Sequence, residues 1–146
     1  MSLEIKVAET HHLEQIVRIE QASFSDPWSC GLLQRKMEDK GVVFYVAERD
    51  GSVLGYGILQ CVLPEAEVIN VVAADGARRQ GIGRGVLEAL LREAKRRGVE
   101  TVHLEVREGN LGAIGLYRSL GFEMVGLRKD YYENPREHAV LMRFGE

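Results

Sequence analysis

The chain has 146 residues, 45% of them hydrophobic and 28% charged, with a net charge of −3; this is the composition of one globular domain spanning residues 1–146 with a real core, and it excludes a disordered segment. No apolar run approaches the roughly 18 residues needed to cross a bilayer, and Glu4, Lys6, Glu9 and Glu14 interrupt the start, so neither a membrane association nor a secretory leader is expected. Cys30, Cys61 and the four histidines (His11, His12, His103, His138) fit no metal or redox spacing, which predicts no metal and a reducing, cytoplasmic setting.

In chain order, Leu3 to Ala8 reads as a first strand. Thr10 is placed to cap a helix to about Gln21, with Leu13, Ile16, Val17 and Glu20 setting its faces. Phe24-Ser25-Asp26-Pro27-Trp28 is a turn, after which Ser29 caps a second helix to about Asp39. Val42 to Glu48 and Val53 to Leu63 are strands joined through Arg49-Asp50-Gly51-Ser52, a hairpin signal. Glu65 to Ala74 is the next strand, and a helix from about Gly83 to Arg97 stops at Gly98. Thr101 to Arg107 alternates, with Val102, Leu104 and Val106 on one face and His103, Glu105 and Arg107 on the other. Asn110 caps a short helix ending at Gly121, and strands near Phe122 to Leu127 and His138 to Phe144 complete an α+β domain: a mixed sheet with helices on its faces. Its strand–helix–strand unit over 68–107 should be parallel.

Charge is uneven. Residues 1–73 carry 11 acids against 6 bases, whereas 78–97 hold Arg78, Arg79, Arg84, Arg92, Lys95, Arg96 and Arg97 against Glu88 and Glu93. The overall acidity and the absence of interleaved aromatics argue against nucleic acid and favour a small polyanion as partner. A solvated helix face accounts for most of Arg92 to Arg97.

The segment Arg78-Arg79-Gln80-Gly81-Ile82-Gly83-Arg84-Gly85 lies between a strand and a helix. Glycines at 81 and 83 let backbone N–H groups approach a ligand, and the helix adds its positive pole, so the turn suits phosphate or pyrophosphate. The dinucleotide pattern fails at Val86, and the P-loop's terminal Gly-Lys-Ser/Thr is missing. Arg78, Gly81 and Gly83 instead match Arg/Gln-x-x-Gly-x-Gly, and Asn110 to Phe122 matches N-x-x-A-x-x-L-Y-x-x-x-G-F.

These two motifs and the element order resemble the GCN5-related N-acetyltransferase (GNAT) superfamily across essentially the whole chain. Phe24-Ser25-Asp26-Pro27-Trp28-Ser29, Glu105-Val106-Arg107 and Arg128-Lys129-Asp130-Tyr131-Tyr132 further resemble the RimI family of bacterial ribosomal-protein alanine N-acetyltransferases. The resemblance implies a mostly antiparallel sheet with a splayed parallel strand pair. It also implies acetyl-CoA as cosubstrate, and as acceptor a protein N-terminus, that of a small-subunit ribosomal protein. A monomer or weak homodimer is expected.

The resemblance implies further that the turn residues Arg78, Arg79, Gln80, Gly81, Ile82, Gly83 and Arg84 bind the cofactor pyrophosphate. A bulge leaves the backbone of Val71, Val72 and Ala73 free for the pantetheine arm. An α-amine with pKa about 7.7–8.0 is mostly protonated at neutral pH, so attack on a thioester needs a base. Glu105 is the candidate. On its residues alone it reads as an exposed carboxylate paired with Arg107 or His103; the resemblance makes it the proton acceptor. Tyr117 reads as core, on a stripe with Ile114 and Leu120, and by resemblance as the acid for the departing thiolate. Asn110 is an N-cap or a cofactor contact. Phe24, Pro27 and Trp28, with Arg128, Tyr131 and Tyr132, are expected to frame the acceptor, although Trp28 alone reads as a staple between helices. Tyr131 and Tyr132 are placed in a turn region with Glu133-Asn134-Pro135. Cys30 begins a helix, where a thiolate is favoured, but no histidine is near it in sequence and transfer is expected to be direct. The alternatives are a small-amine acetyltransferase and a non-catalytic acetyl-CoA-binding module.

Overall fold

The computed structural model describes residues 3–77 and 81–145; Arg78, Arg79 and Gln80 lie outside the described residues. The elements follow the expected order: β1 (Glu4–Val7), a short 3-10 turn (Thr10–His12), α1 (Leu13–Ser23), α2 (Cys30–Glu38), β2 (Val42–Arg49), β3 (Ser52–Val62), β4 (Glu65–Ala73), α3 (Ile82–Arg96), β5 (Thr101–Arg107), α4 (Leu111–Ser119), β6 (Glu123–Tyr132) and β7 (Glu137–Gly145). Seven strands form one sheet in the order β1-β2-β3-β4-β5-β7-β6. Every neighbouring pair is antiparallel except β4 and β5, which are parallel.

Strand alternation sorts the core onto the two faces of this sheet. Val43, Ala47, Leu59, Ala66 and Val68 pack with Val86, Leu87 and Leu90 of α3 and with Ile114 and Tyr117 of α4. Their neighbours Phe44, Val46, Tyr56, Ile58 and Val72 pack with Leu13, Ile16 and Ile19 of α1 and Leu33 of α2. The second pair of helices therefore covers β2 to β4.

The β4–β5 ladder is short. It joins Glu65 to Thr101, Ala66 to Val102 and Glu67 to His103, and goes no further. Opposite β3, Ile58 faces Asn70 and Leu59 faces Val68, so Ile69 is an extra, bulged residue. The bulge thus falls before Val71–Ala73, which are paired with Gly57, Tyr56 and Gly55 of β3. Beyond Glu67 the other edge of β4 has no strand partner.

Two expectations are corrected. Thr10 does not cap α1; Glu9 precedes a 3-10 turn, its N–H donating to Nδ1 of the buried His12 at 2.9 Å, and α1 starts at Leu13. Tyr131 and Tyr132 belong to the end of β6, because that strand runs on through Arg128 to Tyr132. It does so with register shifts at Met124/Gly126 and Arg128/Tyr132 and a left-handed Asp130 (φ 52°). The Ser29 cap, whose hydroxyl accepts from the Leu32 N–H at 3.2 Å, and the Asp50–Gly51 hairpin turn form as expected.

Gly57 sets the closeness of α3. A Cβ there would lie 2.5 Å from Val86 Cγ1 and 2.8 Å from Leu90 Cδ1. Gly57→Ala is therefore expected to overpack the α3–β3 contact and cost about 1–3 kcal/mol, read as a lower urea midpoint with an unchanged m-value.

Candidate active site

Where β4 and β5 part, the sheet opens into a cleft of about 880 Å3. Its floor is Val68 to Val71 of β4 and Leu104 to Arg107 of β5; Asn110, Ala113 and Tyr117 of α4 form one side. Ser23 to Asp26, after α1, and Tyr131 to Pro135, at the β6–β7 hairpin, form the rest. The two walls meet where Asn134 Nδ2 donates to Asp26 Oδ2 at 3.4 Å.

Glu105 lies mid-strand on this floor, its side chain 23% exposed. The partners that the residue pattern offered it are engaged elsewhere. Arg107 donates to the carbonyls of Pro135 (2.9 Å) and Glu133 (3.1 Å) and to Glu137 (3.2 Å), and its guanidinium lies 4.4 Å from the Tyr132 ring centroid. His103 Nε2 lies 3.2 Å from Glu65. That leaves Arg128 at 4.0 Å as the cation nearest Glu105. Among the described residues, Glu105 Oε2 is buried and has no hydrogen-bond partner. A carboxylate oxygen so placed is ready to accept a proton from a group entering the cleft.

The phenols and carboxylates around it respond. Burial, and then the charge of Glu105, raise Glu67, which sits one step away on β4. The adjoining Glu105 carboxylate raises Tyr131. Burial pushes Tyr132 up to about 12. Tyr117 is 8% exposed, packed against Phe122 at 5.7 Å between centroids, and burial alone pushes it up to about 12. Its core reading holds, the ring belonging to the core, and the residue also lines the cleft.

Asn110 is the N-cap of α4, its Oδ1 accepting from the Ala113 N–H at 3.1 Å, and it borders the cleft as well. Phe24 lines the cleft, but Pro27 and Trp28 are not among its walls. Trp28 packs on the α1–α2 core beneath Lys36, whose Nζ is 5.8 Å from the ring, which is the staple role. At the start of α3, Gly81 is the N-cap with φ 77°, a left-handed conformation that favours glycine. Arg84 reaches across to Ser119 Oγ of α4 and lies 3.9 Å from Glu88. Further along, Arg96 and Arg97 bind Glu93 at 2.6 and 2.9 Å, holding its carboxyl down to about 2, and Arg97 also donates to the Lys40 carbonyl. This end of the basic helix is internally paired.

Sequence reasoning missed Asn70, Glu67 and the clamping role of Arg107, and took in Asp26 only as part of the Phe24–Trp28 segment. Only Glu67 carried a signal, being one residue before the apolar run that flanks the glycine turn. Glu9, His11 and His12 come close enough to hold a cation. Both ring nitrogens of His12 are already used, however, by the Glu9 N–H and by Glu48 at 2.7 Å.

The profile of the Acetyltransferase (GNAT) family matches residues 13–122. The chain is 37% identical over 140 residues to the [ribosomal protein bS18]-alanine N-acetyltransferase of Escherichia coli (strain K12), covering 94% of each. It is 29% identical over 131 residues to the putative [ribosomal protein bS18]-alanine N-acetyltransferase of Bacillus subtilis (strain 168), covering 89% of this chain and 87% of that one. The crystal structure of the ribosomal-protein-S18-alanine N-acetyltransferase from Escherichia coli superimposes with a TM-score of 0.90 at 35% identity, covering 99% of this chain and 94% of that one.

The raised pKa of Tyr117 has a direct readout. Its folded value of about 12 exceeds the usual 10, so the stability it confers is present below pH 10 and lost as pH rises through 12. Tyr117→Phe should accordingly leave the phenolate absorbance titration of the folded protein unchanged below pH 11.

Proposed function

The chain belongs to the Acetyltransferase (GNAT) family, and from that premise we propose that it transfers an acetyl group from acetyl-CoA to the N-terminal α-amine of a protein, the N-terminal alanine of ribosomal protein bS18. The observation that carries this reading is Glu105, whose buried Oε2 makes no hydrogen bond among the described residues and lies 4.0 Å from Arg128, in a cleft opened by the splitting of β4 from β5. Its relatives' activity supports the choice of acceptor.

The cosubstrate brings a thioester carbonyl for the amine to attack and a thiolate as leaving group. The residues present suit it. The edge of β4 at Val71, Val72 and Ala73 carries no strand beyond the split and matches an extended amide-bearing arm. The left-handed Gly81 turns the chain into α3, and the first-turn N–H groups of Ile82, Gly83 and Arg84 lie at the positive pole of a 15-residue helix, a fit for pyrophosphate. Arg78, Arg79 and Gln80, just before it in sequence, complete that turn in this reading, and Asn110 adds a contact from α4.

Glu105 takes the proton of the attacking amine. Tyr117 stays protonated at neutral pH because of its burial, so it holds the proton that the departing sulfur needs. Transfer is direct, with no acyl-enzyme on Cys30, which is exposed and is not among the cleft residues. Phe24 on one wall and Tyr131 and Tyr132 on the other hold the peptide end in this reading, joined by Arg128 beside Tyr131 and by Pro27 and Trp28, which follow Phe24 in the same segment. Tyr131 is 43% exposed and its ring lies 5.1 Å from the Arg128 guanidinium, an aromatic surface open to a ligand.

The test is acetyl-CoA turnover with a peptide beginning Ala-Arg, its N-terminally blocked form, and spermidine. Turnover confined to the free N-terminus is expected. Turnover of spermidine alone would move the enzyme to small amines, and binding of acetyl-CoA with no turnover of any acceptor would indicate a non-catalytic module. Glu105→Gln should lose roughly 10²–10⁴ in kcat with acetyl-CoA affinity retained; the same kcat as the parent across pH 6 to 9 removes Glu105 from the chemistry. At Gly83 a Cβ would sit 3.4 Å from Leu116 and 3.8 Å from Val71, in the gap between α3, α4 and β4. Gly83→Val should abolish acetyl-CoA binding in calorimetry, and a folded variant with native affinity refutes the pyrophosphate assignment.

A further inference from the structure

Glu20, near the end of α1, is 1% exposed in a buried stripe that otherwise consists of Leu13, Ile16 and Ile19. A charge in such a place is tolerated only with hydrogen-bond partners, and Glu20 has three, from three different segments. Its Oε2 accepts the backbone N–H of Trp28 at 2.9 Å. Its Oε1 accepts the hydroxyl of Tyr56 on β3 and Nδ2 of Asn70 on β4, the latter at 3.3 Å. Burial and this hydrogen bond both push the Tyr56 phenol up, which keeps it a donor.

One of those partners lines the cleft, and another ends the segment that forms one of its walls. Asn70 follows the bulged Ile69 on the floor and lines the cleft itself. Trp28 ends the segment whose Phe24, Ser25 and Asp26 form the opposite wall. Between the Phe24 N–H, which closes α1 on the Glu20 carbonyl at 3.1 Å, and the Ser29 cap of α2, the Trp28 N–H is, among the described residues, the backbone tie of this segment to the rest of the fold.

We propose that Glu20 is a positioning residue for the acceptor: by joining the Phe24–Trp28 segment to the bulged end of β4 through one carboxylate, it fixes the wall against which the acceptor is held before Glu105. This rests on the reading of the cleft as an N-acetyltransferase site. The carboxylate acts at a distance, touching neither the amine nor the thioester, so its loss should weaken acceptor binding and spare the other substrate.

Glu20→Leu keeps a similar volume but removes both acceptor oxygens, whereas a glutamine could turn its remaining oxygen to the Trp28 N–H and keep the tie. Losing the Trp28 hydrogen bond to a charged group should raise the acceptor KM roughly tenfold, with kcat less affected and acetyl-CoA affinity by calorimetry unchanged. Trp28 is the only tryptophan in the chain, so acrylamide quenching of its fluorescence reads the segment directly and should increase. Tyr56→Phe removes a donor from the same carboxylate but leaves the Trp28 tie. It should lower Tm while keeping acceptor KM and quenching at the parent values. Glu20→Leu/Tyr56→Phe also removes the Tyr56 hydroxyl that would otherwise lose its acceptor and should reproduce the KM and quenching changes even where Glu20→Leu alone does not fold.

Parent values of KM and quenching in a folded Glu20 variant, or an equal rise in acceptor KM in Tyr56→Phe, would overturn the proposal. A parent enzyme that acetylates no free N-terminus overturns the proposed function instead. Quenching needs no acceptor and decides separately whether Glu20 holds the segment.

Discussion

The organising constraint is the early end of the β4–β5 ladder. Two parallel strands that pair for three residues and then part leave facing edges of backbone inside a sheet otherwise closed by antiparallel neighbours. A buried backbone edge without partners is unfavourable, so a split of this kind persists only where something else satisfies it. The bulge at Ile69 turns β4 away, and α4 lies at one side of the opening with Tyr117 seated in the core. The cleft is therefore a property of the sheet, and its chemistry is set by the side chains that alternate onto its floor.

Those side chains are distinguished by which of them are already satisfied. Arg107 spends its donors on the β6–β7 hairpin, and Glu137 takes the Gly109 N–H at 2.6 Å as well as Arg107. His103 Nε2 lies 3.2 Å from Glu65 without making a hydrogen bond. Glu105, between these two on the same strand face, keeps Oε2 without a hydrogen-bond partner among the described residues, with Arg128 at 4.0 Å. Arg107 and Glu105 thus divide the work, one holding the wall rigid and the other remaining available, and the rigidity of the first is what gives the second a defined position.

Much of this was legible before the structure. The element order, the Ser29 and Asn110 caps, the Asp50–Gly51 hairpin and the glycine turn before α3 are local patterns, and local patterns survive into the fold. What escaped depended on distant partners. Thr10 is a good cap by type, but the buried ring of His12, held by Glu48 from β2, places the start of α1 differently. Tyr131 and Tyr132 read as a turn because Glu133-Asn134-Pro135 follows them, whereas pairing with Glu137 on β7 extends the strand through them. The bulge leaves no trace in the apolar run of β4 and was expected from the family resemblance alone. Glu20 offered a sign that was available, a carboxylate on the same stripe as Leu13 and Ile16, although nothing in the sequence names Tyr56, Asn70 and the Trp28 amide as its partners.

The register shifts of β6 bear on how the molecule behaves in a crowded solution. β6 is the outer strand at one border of the sheet and exposes Met124, Val125 and Leu127, the kind of edge on which a second chain can extend a sheet and begin an aggregate. The shifts at Met124/Gly126 and Arg128/Tyr132 leave no run in regular register longer than Gly126 to Arg128. A strand arriving from outside would find too short a run of correctly spaced donors and acceptors to gain a foothold, so the protein can display apolar side chains along this border without offering a template for fibril growth.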